Sequence, residues 1–128
     1  MRFPPLMSRA TREASGYLVG FPHLAGIVHA FCGDDHAHRD VLQCLSTGND
    51  WTEHQRPTDL VLTPAACYPV YSVLSQRGPV PDAGCLVSLQ SFCFRREPAT
   101  EAGRLQTFRM HEFVRAGTPE QVLAFREL

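Results

Sequence analysis

The clearest patterning of apolar and polar positions lies in the second half of the chain. Cys85 to Phe94 (CLVSLQSFCF) alternates with a period of two and predicts a long strand. Leu105 to Val114 interleaves large apolar residues with Arg and Glu and predicts its return partner; Pro98 to Gly103 is the connecting loop. Thr118-Pro119-Glu120-Gln121 then starts a helix. Thr118 is its N-cap, proline takes the first helical position, and Gln121 closes a capping box. Val122, Leu123 and Phe125 form that helix's apolar side.

The first half is more punctuated. Phe3 to Met7 holds two prolines, which suit an edge strand, and a polar stretch separates it from GFPHL. Gly26 to Phe31 reads as a short strand. Gly33-Asp34-Asp35 is a turn and N-cap before a helix with Val41, Leu42 and Leu45 on one stripe and Gly48 at its end. Asn49 to Thr58 reads as a polar loop anchored by Trp51, and Asp59 to Leu62 as a buried strand closed by Thr63-Pro64. Ala65 to Gln76 predicts a helix, with Cys67, Val70, Tyr71 and Leu74 at spacings of three and four. Pro69 then falls in the first turn, where a missing N–H is tolerated. Residues 78–84 are a turn cluster. The sum is a single α+β domain without repeats.

Composition narrows the classes. The chain has 128 residues, 44% hydrophobic, enough for one core. Its 12 basic residues, all Arg, balance 13 acidic ones, so no overall basic field favours DNA. No apolar run approaches the ~20 residues of a membrane span, and the N-terminus lacks the apolar core of a signal peptide. These features make the cytoplasm the default location. The five cysteines are irregularly spaced, with no CxxC, and read as free, mostly buried thiols.

Candidate chemistry gathers on the hairpin. Arg95 and Glu97 share one strand face, with Arg104 across the loop. Together they could grip an anionic, planar ligand, and Phe108, on the face opposite Arg109, could stack on it. The alternative is a solvated hairpin whose charges pair across strands. Spacing alone makes Cys67 a buried thiol and Glu112 a surface carboxylate, since zinc ligands usually come as local pairs. Asp34, Asp35, His36 and His38 read as a helix cap followed by exposed histidines. No Gly-rich phosphate loop, GxSxG or HExxH occurs.

FRREPATEAGRLQTFRMHEFVRAGTPEQV nevertheless resembles motif 2 of class II aminoacyl-tRNA synthetases: Arg-x-Glu, a variable loop, then Arg and Phe on the antiparallel strand. With ASGYLVGFPHLAG and LVLTPAACYPVY, it is most similar to the atypical zinc-dependent seryl-tRNA synthetase core and its shortened bacterial relatives, the amino acid:[carrier protein] ligases. The resemblance implies an antiparallel sheet flanked by helices, with the active site on the sheet face. It implies that Arg95 contacts the α-phosphate of ATP, Glu97 the adenine amino group, Arg104 the β- and γ-phosphates, and that Phe108 stacks on adenine. It also implies a zinc ion (Zn2+) on Cys67, Glu112 and a second Cys, open to the substrate amino group. The family's second zinc Cys and motif 3 Arg fall beyond Leu128, and its motif 1 helix before Phe3. The expectation is therefore a partial catalytic core over 1–128, with the motif 2 hairpin at 92–115.

The implied activity is ATP- and Mg2+-dependent formation of an aminoacyl-adenylate from a small amino acid. The aminoacyl group then passes to the phosphopantetheine thiol of a carrier protein, and the complete family member is a homodimer. The alternatives are transfer to tRNA, and a non-catalytic remnant that binds a nucleotide or a partner subunit.

Overall fold

The structure is a computed structural model that describes residues 1–97 and 100–127. Pro98 and Ala99 of the expected loop, and Leu128, lie outside the described residues. Two antiparallel sheets make up the frame. The first has the order β1-β3-β2, from Leu6–Ser8, Gln55–Leu62 and Ile27–Phe31; the second is the hairpin of β4 (Cys85–Phe94) and β5 (Thr107–Ala116). The helices are α1 (Arg9–Ala14), α2 (Tyr17–Gly20), α3 (Asp35–Thr47), α4 (Tyr68–Gln76) and α5 (Pro119–Arg126).

Strand β4 fulfils its pattern. In β4, Val87, Leu89, Ser91 and Cys93 are buried while Leu86, Ser88 and Phe92 face outward. Val87, Leu89 and Cys93 pack with Ala66, just before α4, and Val70 within it, and Phe3, Met110 and Val114 close the cluster. The capping box of α5 forms as expected: the Gln121 amide donates to the Thr118 hydroxyl, and the Thr118 amide to the Gln121 side chain. Asp34 caps α3 by accepting from the amides of His36 and Ala37, and Gly48 ends that helix at φ 71°, a left-handed value that suits glycine.

Several expectations need correction. Strand β3 begins at Gln55, not Asp59, and so includes Pro57. Proline is tolerated because β1 pairs only with Leu60, Val61 and Leu62, which leaves Pro57 one neighbour, His29 of β2. Trp51 is 41% exposed and anchors no core. The polar stretch after β1 folds as α1, capped by the Ser8 hydroxyl, and Gly16 at φ 71° turns the chain into α2. The edge strand runs from Leu6 rather than Phe3, and β5 lies two residues later than its pattern suggested.

Backbone bonds join the two sheets. The Phe94 amide donates to the Thr63 carbonyl at 2.8 Å, and the Phe3 amide to the Gln90 carbonyl at 3.0 Å. The N-terminal residues thus lie along β4 before crossing to β1. Leu89 is fully buried at the centre of this junction. Leu89→Ala is expected to destabilise the fold by about 2–5 kcal/mol, the range for cavity-forming core truncations. Val19→Ser, at a position 90% exposed, should change stability by less than about 0.5 kcal/mol. Urea unfolding of the two variants checks both.

Candidate functional site

Strand pairing decides which side chains meet. Leu89 lies opposite Glu112 and Cys93 opposite Phe108, and directly opposed residues share a face. Glu112 and Phe108 therefore sit on the inner face with Leu89 and Cys93, beneath the start of α4. Glu112 is a half-buried carboxylate that points inward, not the surface residue its spacing suggested. Its Oε2 accepts the Cys67 amide at 2.8 Å, joining two residues 45 positions apart.

The thiols near this carboxylate resist ionisation. Burial pushes Cys67 above the usual thiol range, and the negative charge of Glu112 adds to it; the Tyr71 hydroxyl partly opposes this. Cys93 is pushed up to about 11 by burial, with Glu112 again adding. Thiols held protonated by burial and by a neighbouring carboxylate are what a bound cation would relieve. Cys67 and Glu112 therefore suit a metal chemically. Among the described residues, however, no group of three or more His, Cys, Asp or Glu is arranged to hold one. The Asp34 to His38 cluster acts as a cap, with His36 bonded to Asp40 at 2.9 Å.

The charged residues of the hairpin loop form a second part of the site. Arg95 follows β4 and donates from Nε to the Pro64 carbonyl at 2.9 Å. Its guanidinium lies over the Phe108 ring, 5.4 Å from the centroid. Arg104 bonds Glu97 at 3.4 Å and Glu101 at 3.0 Å. A shallow groove of about 250 Å³ is lined by Arg95, Glu97, Gly103, Arg104, Leu105 and Phe108. All four residues expected to hold a nucleotide therefore line one groove, while the Arg104 pairs also satisfy the alternative of a hairpin with paired charges. These exposed pairs contribute about 1 kcal/mol or less each.

A larger cavity of about 600 Å³ adjoins Cys67 and is lined also by Thr11, Ser15, Tyr68 and Tyr71. Tyr71 follows Cys67 at helical spacing, a signal legible as a shared face but not as a site; Tyr68, the next residue, carried none. Arg12, fully buried nearby, had no signal in its polar surroundings.

No family model matches the chain. Amino acid–[acyl-carrier-protein] ligase 2 of Bradyrhizobium diazoefficiens is 50% identical over 127 residues, covering 99% of this chain and 38% of that protein. Ligase 1 of the same organism is 49% identical over the same span, 39% of its own length. The chain thus spans less than two fifths of the curated relatives it matches. Among solved structures, M. kandleri seryl-tRNA synthetase, in a crystal structure with A. aeolicus tRNASec, aligns with a TM-score of 0.78 at 25% identity, covering 99% of this chain and 26% of that one.

The link between Glu112 and Cys67 can be read in metal-free protein. Glu112→Gln removes the charge that helps hold the thiol protonated, so its pKa falls and more thiolate is present at pH 8. Peptide-resolved iodoacetamide labelling should show Cys67 reacting several-fold faster, with exposed Cys32 unchanged. An unaltered Cys67 rate would mean that the carboxylate does not act on the thiol.

Proposed function

We propose, on the premise that this chain is a relative of the amino acid–[acyl-carrier-protein] ligases with a seryl-tRNA-synthetase-like class II fold, that it carries the adenylate-forming face of such a catalytic core. The reaction is attack of an amino acid carboxylate on the α-phosphorus of ATP, with pyrophosphate leaving. The phosphopantetheine thiol of a carrier protein, losing its proton, then attacks the aminoacyl carbonyl carbon, and the acyl–phosphate bond breaks to release AMP. The observation that carries this reading is the gathering of Arg95, Glu97, Arg104 and Phe108 on one groove, with Glu112, farther along β5, joined to Cys67 at the start of α4.

Each side chain has a physical role in it. Arg95 uses Nε on the Pro64 carbonyl, which leaves its terminal amino groups for the α-phosphate. Moving them toward the phosphate uncovers Phe108 for the adenine ring. Arg104 leaves Glu97 and Glu101 for the outer phosphates, and the same motion frees Glu97 to accept from the adenine amino group. What is exchanged is the two Arg104 ion pairs, each weak, and the contact of Arg95 with the Phe108 ring. Cys67 and Glu112 would hold Zn2+, which when bound offers an open position to the substrate amino group. Mg2+ would neutralise phosphate charge. Catalysis of this kind is positioning and charge stabilisation, with no protein nucleophile needed.

Transfer to tRNA is the second reading; the 25% identity to a seryl-tRNA synthetase favours it less than the 50% identity to the carrier-protein ligases does. A remnant that binds nucleotide without turnover is the third, favoured by the two-ligand metal set. Amino-acid-dependent exchange of pyrophosphate into ATP tests the first step. Zinc-loaded protein should catalyse it, and Arg95→Ala should reduce it by about 10²–10³-fold, as loss of a charge-stabilising donor does. Absence of exchange in the zinc-loaded chain would sink the activity.

Zinc binding is a separate expectation. It should be weak with two ligands, and Cys67→Ser and Glu112→Gln should each lower the affinity about tenfold or more, since even outer-shell changes cost that much. Competition with a chromophoric chelator measures it. Tight binding that both substitutions leave intact would refute the ligand assignment.

A further inference from the structure

The connection from β3 to α4, Leu62 to Cys67, holds both parts of the candidate site. Its Thr63 carbonyl accepts the Phe94 amide at 2.8 Å, and its Pro64 carbonyl accepts Arg95 Nε at 2.9 Å. Its Cys67 amide donates to Glu112 at 2.8 Å. On the other side, the Leu62 amide donates to the Gly26 carbonyl and the Thr63 amide to the Pro5 carbonyl, each at 2.9 Å. The remaining hold comes from a side chain on α1: Nη1 of Arg12 donates to the Leu62 carbonyl at 2.9 Å.

Arg12 is out of place by ordinary rules. It is 1% exposed, its guanidinium lies 4.8 Å from the centroid of the Tyr17 ring, and Nε and Nη2 have no hydrogen-bond partner among the described residues. No salt bridge to it occurs among those residues. Burying a guanidinium without a carboxylate is costly, and an apolar side chain of similar volume would fill the space at less expense. What the guanidinium supplies, and an apolar group cannot, is a charge-assisted donor to one particular carbonyl.

We propose that Arg12 is a positioning residue, whose hold on the Leu62 carbonyl sets the placement of Cys67 against Glu112 and of Arg95 against Phe108. Thr63, Pro64 and Ala66 are fully buried, so a shift at Leu62 is transmitted along the connection rather than absorbed by it. The functional meaning of the placement rests on the adenylate-forming reading; the placement itself does not.

The test compares Arg12→Met and Arg12→Lys with Val70→Ala, a core truncation on α4. Site-resolved amide hydrogen exchange is measured by NMR on the whole chain, and ATP affinity by titration with ATP alone. Arg12→Met should accelerate exchange at Cys67 and Phe94 at least tenfold more than at Val87 and Leu89 in the hairpin. Arg12→Lys, which keeps a charged donor, should fall between it and the unaltered chain. Val70→Ala should accelerate all four by similar factors. ATP affinity should fall about tenfold in Arg12→Met and be partly restored in Arg12→Lys. If Arg12→Met does not fold, the exchange pattern of Arg12→Lys decides. Uniform acceleration in the Arg12 variants, or none, overturns the proposal. If the unaltered chain binds no ATP, the adenylate-forming reading fails, while exchange still decides the role of Arg12.

Discussion

Two small sheets become one body along the backbone of Leu62 to Cys67. A two-stranded hairpin is marginal in isolation, and the other sheet has an edge strand of three residues. Neither would hold a side chain to the precision that binding chemistry needs. The connection between β3 and α4 ties both through hydrogen bonds from its own main chain, and Ala66 lies in the buried cluster shared with β4. Close approach is part of the same constraint. A Cβ on Gly26 would stand 2.7 Å from Leu62 Cδ1 and 2.9 Å from the Phe94 ring, so glycine there lets the two sheets meet at this seam.

The strong local signals were legible. The period of two in Cys85 to Phe94, the Thr118 capping box and the Asp34 cap each depend on nearby residues, and each formed where its pattern placed it. The failures came where tertiary context overrode the local reading. The polar run Asn49 to Thr58 suggested a loop, but its second part joins β3, where the short partner β1 leaves the missing N–H of Pro57 facing no strand. Trp51 suggested an anchor by its size alone. Val41, Leu42 and Leu45 form the stripe that the pattern showed, yet no residue of α3 is buried. Periodicity announces an apolar face without saying what covers it.

The candidate site was legible in two unequal ways. Arg95, Glu97 and Arg104 are close in sequence, so a shared site was one of two readings open to the pattern, and the resemblance chose it; all three lie just outside the strands, between Phe94 and Thr107. Cys67 and Glu112 are 45 residues apart and carry no metal spacing; only the resemblance joined them, because strand register and helix packing are not written in local spacing. Arg12 had neither kind of signal. A lone arginine in a polar stretch looks exposed, and its burial depends on a carbonyl 50 residues away.

The arrangement along the hairpin constrains what could occupy it. Glu112 and Phe108 share the inner face of β5 and are four residues apart. At about 3.3 Å per strand residue, that separation is about 13 Å. One end offers a carboxylate and a thiol, suited to a cation and through it to an amine. The other offers an aromatic face and guanidinium groups, suited to a base and to phosphates. On the proposed reading, the ligand that meets both ends is an aminoacyl-adenylate, whose amino group and aromatic base are separated by phosphate. A free nucleotide would meet only the Phe108 end, and a free amino acid only the Glu112 end. On that reading, a molecule that joins the two engages the whole strand face, where either precursor engages one end of it.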